Sequence, residues 1–261
     1  MTMTRTTDLV RAIAVAVTAV AQVAASPLTT LALGPSSETG AISDANKSPI
    51  TPAGYAFAIW GLIYLGCLAL AAYQLLPSQR ERAVHRRTGW WLTAAFAASA
   101  VWVPIFGGRV IWLSEIVIIL LVALLGVACW RATRTGPAAG TAERVLLRLP
   151  ATLYLGWATL AAAAGFATTL RSIGMAPVGR GVTAICLTLV VAATVASVTA
   201  IHWLTAVVGF TFTAAWALLA VAVGTDEGLV RIVTLLALAI VVGTLVARTT
   251  RSHERRTVLL G

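Results

Sequence analysis

The chain has 261 residues, of which 59% are hydrophobic and 11% charged, with a mean hydropathy of +0.90. No soluble domain hides that much apolar surface, and the runs are continuous where a β-barrel would alternate in polarity. The net charge of +10 does not point to nucleic acid, because the basic residues sit in short gaps between apolar runs instead of on one soluble face.

Each run is close to the roughly 20 residues that cross about 30 Å of hydrocarbon, so the expected fold is all-α, a polytopic transmembrane helix bundle. The first run, 9–33, competes with a secretory signal peptide, since it has a charged start and small residues from Ala21 to Ser26. Its apolar character continues through 28–33, beyond the usual length of such a segment, which favours a retained span. Residues 34–52 form the longest polar segment and are expected to be a loop.

The second run, 52–76, starts at Pro52, where a missing N–H costs nothing. Phe57, Trp60 and Tyr64 then follow at i, i+3 and i+7, so their rings share one helix face. Two readings compete for that face: an aromatic belt at the membrane surface, or a ligand pocket at the mouth of a bundle.

Further runs cover 89–106, 110–130, 149–170 and 182–201. A seventh ends by Val223, and the last covers 229–246. Pro150 is placed in the first turn of the fifth, which a helix start tolerates. Eight spans are preferred, or seven if the first is cleaved. With both termini cytoplasmic, Arg5, Arg11, Arg80, Arg82, Arg86, Arg87, Arg131, Arg134, Arg144, Arg148, Arg248, Arg251, Arg255 and Arg256 fall inside. Only Lys47, Arg109, Arg171, Arg180 and Arg231 fall outside, an asymmetry that sets the orientation of a multi-pass cell-membrane protein.

Ionisable residues within the spans are few. Glu115 lies about one turn into the fourth, near enough to the surface to reach water or pair with Arg109. Arg231 can snorkel from a helix end, and His202 sits in a turn. No Asp, Glu or His relay crosses the membrane centre, which argues against an ion pump. P-loop, Gly-x-Ser-x-Gly, His-Glu-x-x-His and Cys-x-x-Cys signatures are absent, so no catalytic residue or metal ligand is assigned and enzymatic activity is not expected. Cys67, Cys129 and Cys186 read as small buried hydrophobes. Ala158, Ala162 and Thr169, with Ala192, Ala196 and Ala200, are read as close helix-packing positions, within the chain or in a homo-oligomer.

The stretch from Thr51-Pro-Ala-Gly-Tyr to Ile-Trp-Gly-Leu-Ile-Tyr64, with Ser99-Ala-Val-Trp102 and Pro150, Tyr154 and Trp157, resembles the tryptophan-rich sensory protein (TspO/MBR) family, bacterial relatives of the translocator protein. The likeness covers roughly 9–170 and is nearest to long members with extra C-terminal helices. Family members commonly carry Asn where Ser99 stands and near Gly165. The resemblance implies a five-helix core at 1–171, three additional spans at 172–248 and a basic cytoplasmic tail at 249–261. It also implies a pocket lined by Phe57, Trp60, Tyr64, Trp102, Tyr154 and Trp157, with Pro52 and Tyr55 in a covering loop. Such a pocket would bind, carry or sense a hydrophobic ligand such as a porphyrin or other tetrapyrrole, or a sterol-like lipid. No resident cofactor is implied beyond a tetrapyrrole held as ligand. The rival readings are a small-solute transporter and a non-catalytic structural or regulatory membrane protein.

Overall fold

A computed structural model describes residues 2–176 and 179–261. Of the expected 174–180 connection, Pro177 and Val178 lie outside the described residues. Among the described residues there is no strand, and 8 helices are long and apolar enough to cross a membrane. The chain is an all-α, multi-pass helix bundle.

The spanning helices are α1 (Thr2–Leu33), α3 (Ile59–Leu75), α5 (Ala83–Gly107) and α6 (Ile111–Thr133) from the first half of the chain. They are followed by α8 (Leu149–Ser172), α9 (Arg180–Trp203), α10 (Val207–Gly224) and α11 (Gly228–Arg251). Helix α8 is the most buried of them and packs against α3, α6, α9 and α10. Helix α5 sits between α1 and α6 on one flank, and α11 lies outermost against α9 and α10.

Helix α8 can be central because small residues let its neighbours close in. A methyl group on Gly156 would come within 2.8 Å of Phe210 Cα on α10, and one on Gly209 within 2.8 Å of Leu149 O. Between these glycines the Thr152 hydroxyl donates to Ala206 O at 2.8 Å, and that of Thr213 donates to Leu153 O at 2.8 Å. In α9 the inward packing goes through Ala193 and Ser197, which are buried, while Ala192 and Ala196 of the expected small-residue face are exposed. Since α9 packs through one side only, the residue that turns inward decides which alanines matter.

Three further expectations change. The 34–52 segment is not simply loop, because it holds the short helix α2 (Thr39–Ala45), which buries Ile42 and Ser43. Pro150 stands in the first turn of α8 as expected, but α8 is not where the helical path starts. The helical path begins at α7 (Thr141–Glu143) and passes through a π-helical turn, Arg144–Arg148, before α8. A wider turn suits a site where proline supplies no N–H. The tail folds into α12 (Arg255–Leu260), which buries Val258, and Gly261 O accepts a hydrogen bond from Arg144 Nε at 3.0 Å.

Both chain ends lie at one end of the bundle, tied by ion pairs. Asp8 is paired with Arg11 at 2.6 Å and with Arg86 at 2.5 Å. Glu143 is buried between Arg148 at 2.8 Å and Arg82 at 2.9 Å. At the opposite end the 34–52 segment closes over the helices, with Arg171 donating to Lys47 O at 3.0 Å and Arg109 to Ser36 O at 3.4 Å.

Candidate functional site

Eight of the nine tryptophans divide into two sets, and Trp216 stands apart. Trp90, Trp112, Trp130 and Trp203 are exposed, and Arg134 stacks over Trp130 as Arg131 does over the less exposed Trp91. This is the arrangement expected of a membrane-surface belt. Trp60, Trp102 and Trp157 instead converge inside the bundle.

Trp60 is the centre of that convergence. Its ring stacks on Trp102 at 5.9 Å and meets Trp157 and Tyr154 edge-on at 6.0 Å and 5.8 Å. Tyr64, one turn further along α3, is 5.4 Å away, and Phe57 meets Trp157 edge-on at 6.3 Å. Offset and edge-to-face pairs at these separations are the favoured aromatic geometries. The i, i+3, i+7 stripe, which runs from the turn before α3 into α3, thus faces rings from α5 and α8.

The stripe is aimed by its start. A 3₁₀ turn, Gly54–Ala58, leads into α3, and the backbone around it is held by α10. Ala53 N–H donates to Ala220 O at 3.0 Å, and the Trp216 indole N–H donates to Ala56 O at 3.1 Å. Tyr55 packs edge-on against Trp216 at 5.3 Å and is exposed on its other side. A span from the C-terminal part of the chain therefore positions the aromatic helix. Trp216 carries no spacing signal, so sequence reasoning passed over it.

Two spaces flank the rings. An open groove of about 900 Å³ lies between α1 and the α3–α5 pair, beneath the covering segment, and Phe57, Trp60, Tyr64 and Trp102 form one wall. Pro27 lies on the opposite wall with Ser26, Thr30 and Leu31. On the far side of the rings is a tighter cavity of about 70 Å³, lined by Pro52, Phe57, Trp60, Trp102 and Trp157. Its remaining wall comes from α2, α6, α8, α9 and α10, including Glu115, Gly165, Val190 and Leu218. Helix α2 contributes Thr39 to both spaces, and a methyl on Gly40 would touch Phe57 at 3.7 Å.

Tyr154 lines neither space. It is fully buried behind Trp60, and its hydroxyl donates to Ser99 Oγ at 2.6 Å and lies 3.3 Å from Gln22 Oε1. Ser99 and Gln22 thus brace the rings from α5 and α1. Trp157 is also buried, and among the described residues its Nε1 has no hydrogen-bond partner.

Glu115 differs from its expected role. It is 7% exposed and, among the described residues, makes neither an ion pair nor a hydrogen bond. Arg109 turns to Ser36 instead. The Glu115 carboxylate rests against Gly165, closer than a Cβ there would permit. His202 is exposed at the end of α9, and Arg231 donates to Thr225 O at 2.5 Å, as a helix-end cation can.

Neither a curated protein nor a solved structure matches the chain. A family model described as TSPO-like protein matches residues 11–247, continuing past 170 through α9 and α10 and most of α11. The chain, an integral membrane protein built on this ring cluster, belongs to the TSPO-like protein family.

Proposed function

We propose that the protein binds a flat, largely apolar ligand, a tetrapyrrole or a sterol-like lipid, against the aromatic wall of the groove, and carries or senses it. The observation that carries this reading is the meeting of Trp60 with Trp102, Tyr64 and Trp157 beside a groove of about 900 Å³ under a covering segment. Ring faces offer a planar ligand stacking area, while polar groups at the mouth, such as Glu38 and Thr39, orient it.

Protoporphyrin titrated into purified protein should quench tryptophan fluorescence saturably. Trp60→Ala should weaken the apparent affinity by about tenfold or more, as loss of a stacking partner worth roughly 1.4 kcal/mol requires. Equal affinity in the two proteins would remove the groove from consideration.

Transport of a small solute through the whole bundle is a second reading. It is favoured by one observation: α9 and α10 supply Val190, Ala193, Ala217 and Leu218 to the tight cavity, so those helices are part of the site. Proteoliposome uptake that persisted in Trp60→Ala would support it.

A further inference from the structure

The tight cavity holds a carboxylate with nothing to answer it. Glu115 is buried at a depth where an unpaired charge is costly, so such a group must be neutralised or meet a cation. Nearby hydroxyls do not serve. Ser114 donates to Ile111 O at 2.7 Å, and Thr168 donates to Ala164 O at 3.0 Å, so their protons are committed to their own helices. Among the described residues no guanidinium pairs with the carboxylate: Arg109 is engaged at Ser36 O and Arg171 at Lys47 O. The fold nonetheless makes room for it: Gly165 leaves the space on α8 that the carboxylate occupies, and any side chain there would displace it.

The walls also hold the rings of Trp157, Trp60, Trp102 and Phe57, among aliphatic side chains such as Ile118, Leu160, Val190 and Leu218. Aromatic and aliphatic surface beside a single carboxylate is the chemistry that holds an alkylammonium ion, whose carbon groups pack on the apolar walls while its charge pairs with the carboxylate. The cavity volume of about 70 Å³ is about half the roughly 150 Å³ that accommodates benzene, which restricts the occupant to a few heavy atoms.

We infer that the cavity on the far side of the aromatic cluster is a site for a small alkylammonium group, free or as the head of a larger amphiphile, with Glu115 as its counter-ion. This rests on the reading of the ring cluster as a ligand site and adds to it the charge of one ligand class. The groove in front of the rings takes the apolar body of a ligand, and the cavity behind them takes a cation.

The probe is dimethylammonium chloride, set against sodium chloride at equal ionic strength and against ethanol, which has the same number of heavy atoms and no charge. Purified protein should show a saturable rise in melting temperature and a change in tryptophan fluorescence with dimethylammonium alone. Half-saturation should fall in the roughly millimolar range that three heavy atoms allow. Glu115→Gln keeps the size of the side chain and should lower the affinity by at least about tenfold. Gly165→Ala, whose methyl forces the carboxylate to shift, should weaken the response as well. Protoporphyrin quenching should persist in both variants, which also reports that they are folded.

An equal response to ethanol, or an undiminished response in Glu115→Gln, would overturn the ammonium site. So would no response in wild type, the result expected if Glu115 simply carries a proton. If protoporphyrin still quenches in that case, the groove reading stands alone. Loss of both signals in wild type would remove both.

Discussion

Tyr154 separates bracing from lining at the level of a single residue. The family resemblance implied that it is a ring in the pocket, and it does touch Trp60 at 5.8 Å. A fully buried hydroxyl must find a partner, however, and it does so in Ser99 on the side away from both spaces. Tyr154→Phe removes that bond, so it should lower stability by about 1 kcal/mol, read as a drop in melting temperature. Ligand affinity should stay within about twofold of wild type, because the ring itself is kept. A tenfold loss of protoporphyrin affinity with unchanged stability would reassign Tyr154 to the binding surface. The stripe of Phe57, Trp60 and Tyr64 was legible because helical spacing places rings on one face. The rings that answer it come from α5 and α8, and no local spacing shows a partner a hundred residues away. Glu115 was visible as a residue, but its isolation was not, since that depends on where Arg109 turns.

The spans themselves were readable at the level of elements because a continuous apolar run has few other options. Short elements were not. Helix α2 is polar and too short to hold together alone, and it exists because Ile42 buries against the bundle. The small-residue faces were half legible. Ala158 on α8 is fully buried, but the close approach of α8 to α10 is set by Gly156 and Gly209, which were not singled out. Gly156→Ala tests this packing. Its methyl would meet the Phe210 backbone, which cannot move aside as a flexible side chain can, so stability should fall by about 1–3 kcal/mol. The loss should also loosen the start of α3, because α10 carries Trp216 and Ala220, which hold Ala56 and Ala53. Faster proteolysis at residues 51–58 in Gly156→Ala than in wild type would report that coupling. Unchanged melting would mean that the two helices have slack at their crossing.

Charge and packing meet at one end of the whole molecule. The end that carries both termini also carries most of the arginines, and these perform two jobs. Arg11, Arg86, Arg82 and Arg148 pair with Asp8 and Glu143 and tie the first, third and fifth spans together. Among the described residues Arg131 and Arg134 pair with no carboxylate, and they lie over Trp91 and Trp130. Neutralising Asp8 and Glu143 therefore does not cancel the excess, and the orientation rule counts Lys and Arg with little regard to acids. The arginine-rich end should face the cytoplasm, which places the 34–52 segment and the groove mouth on the outer side. Cysteine labelling decides this. Cys67, Cys129 and Cys186 are all buried and can be replaced by Ala to give a silent background. Ser36→Cys and Ser78→Cys then mark exposed positions at opposite ends of the bundle. A membrane-impermeant maleimide should label position 36 on intact cells and position 78 only after permeabilisation. The reverse pattern would turn the molecule over, so that a ligand would reach the aromatic groove from inside the cell.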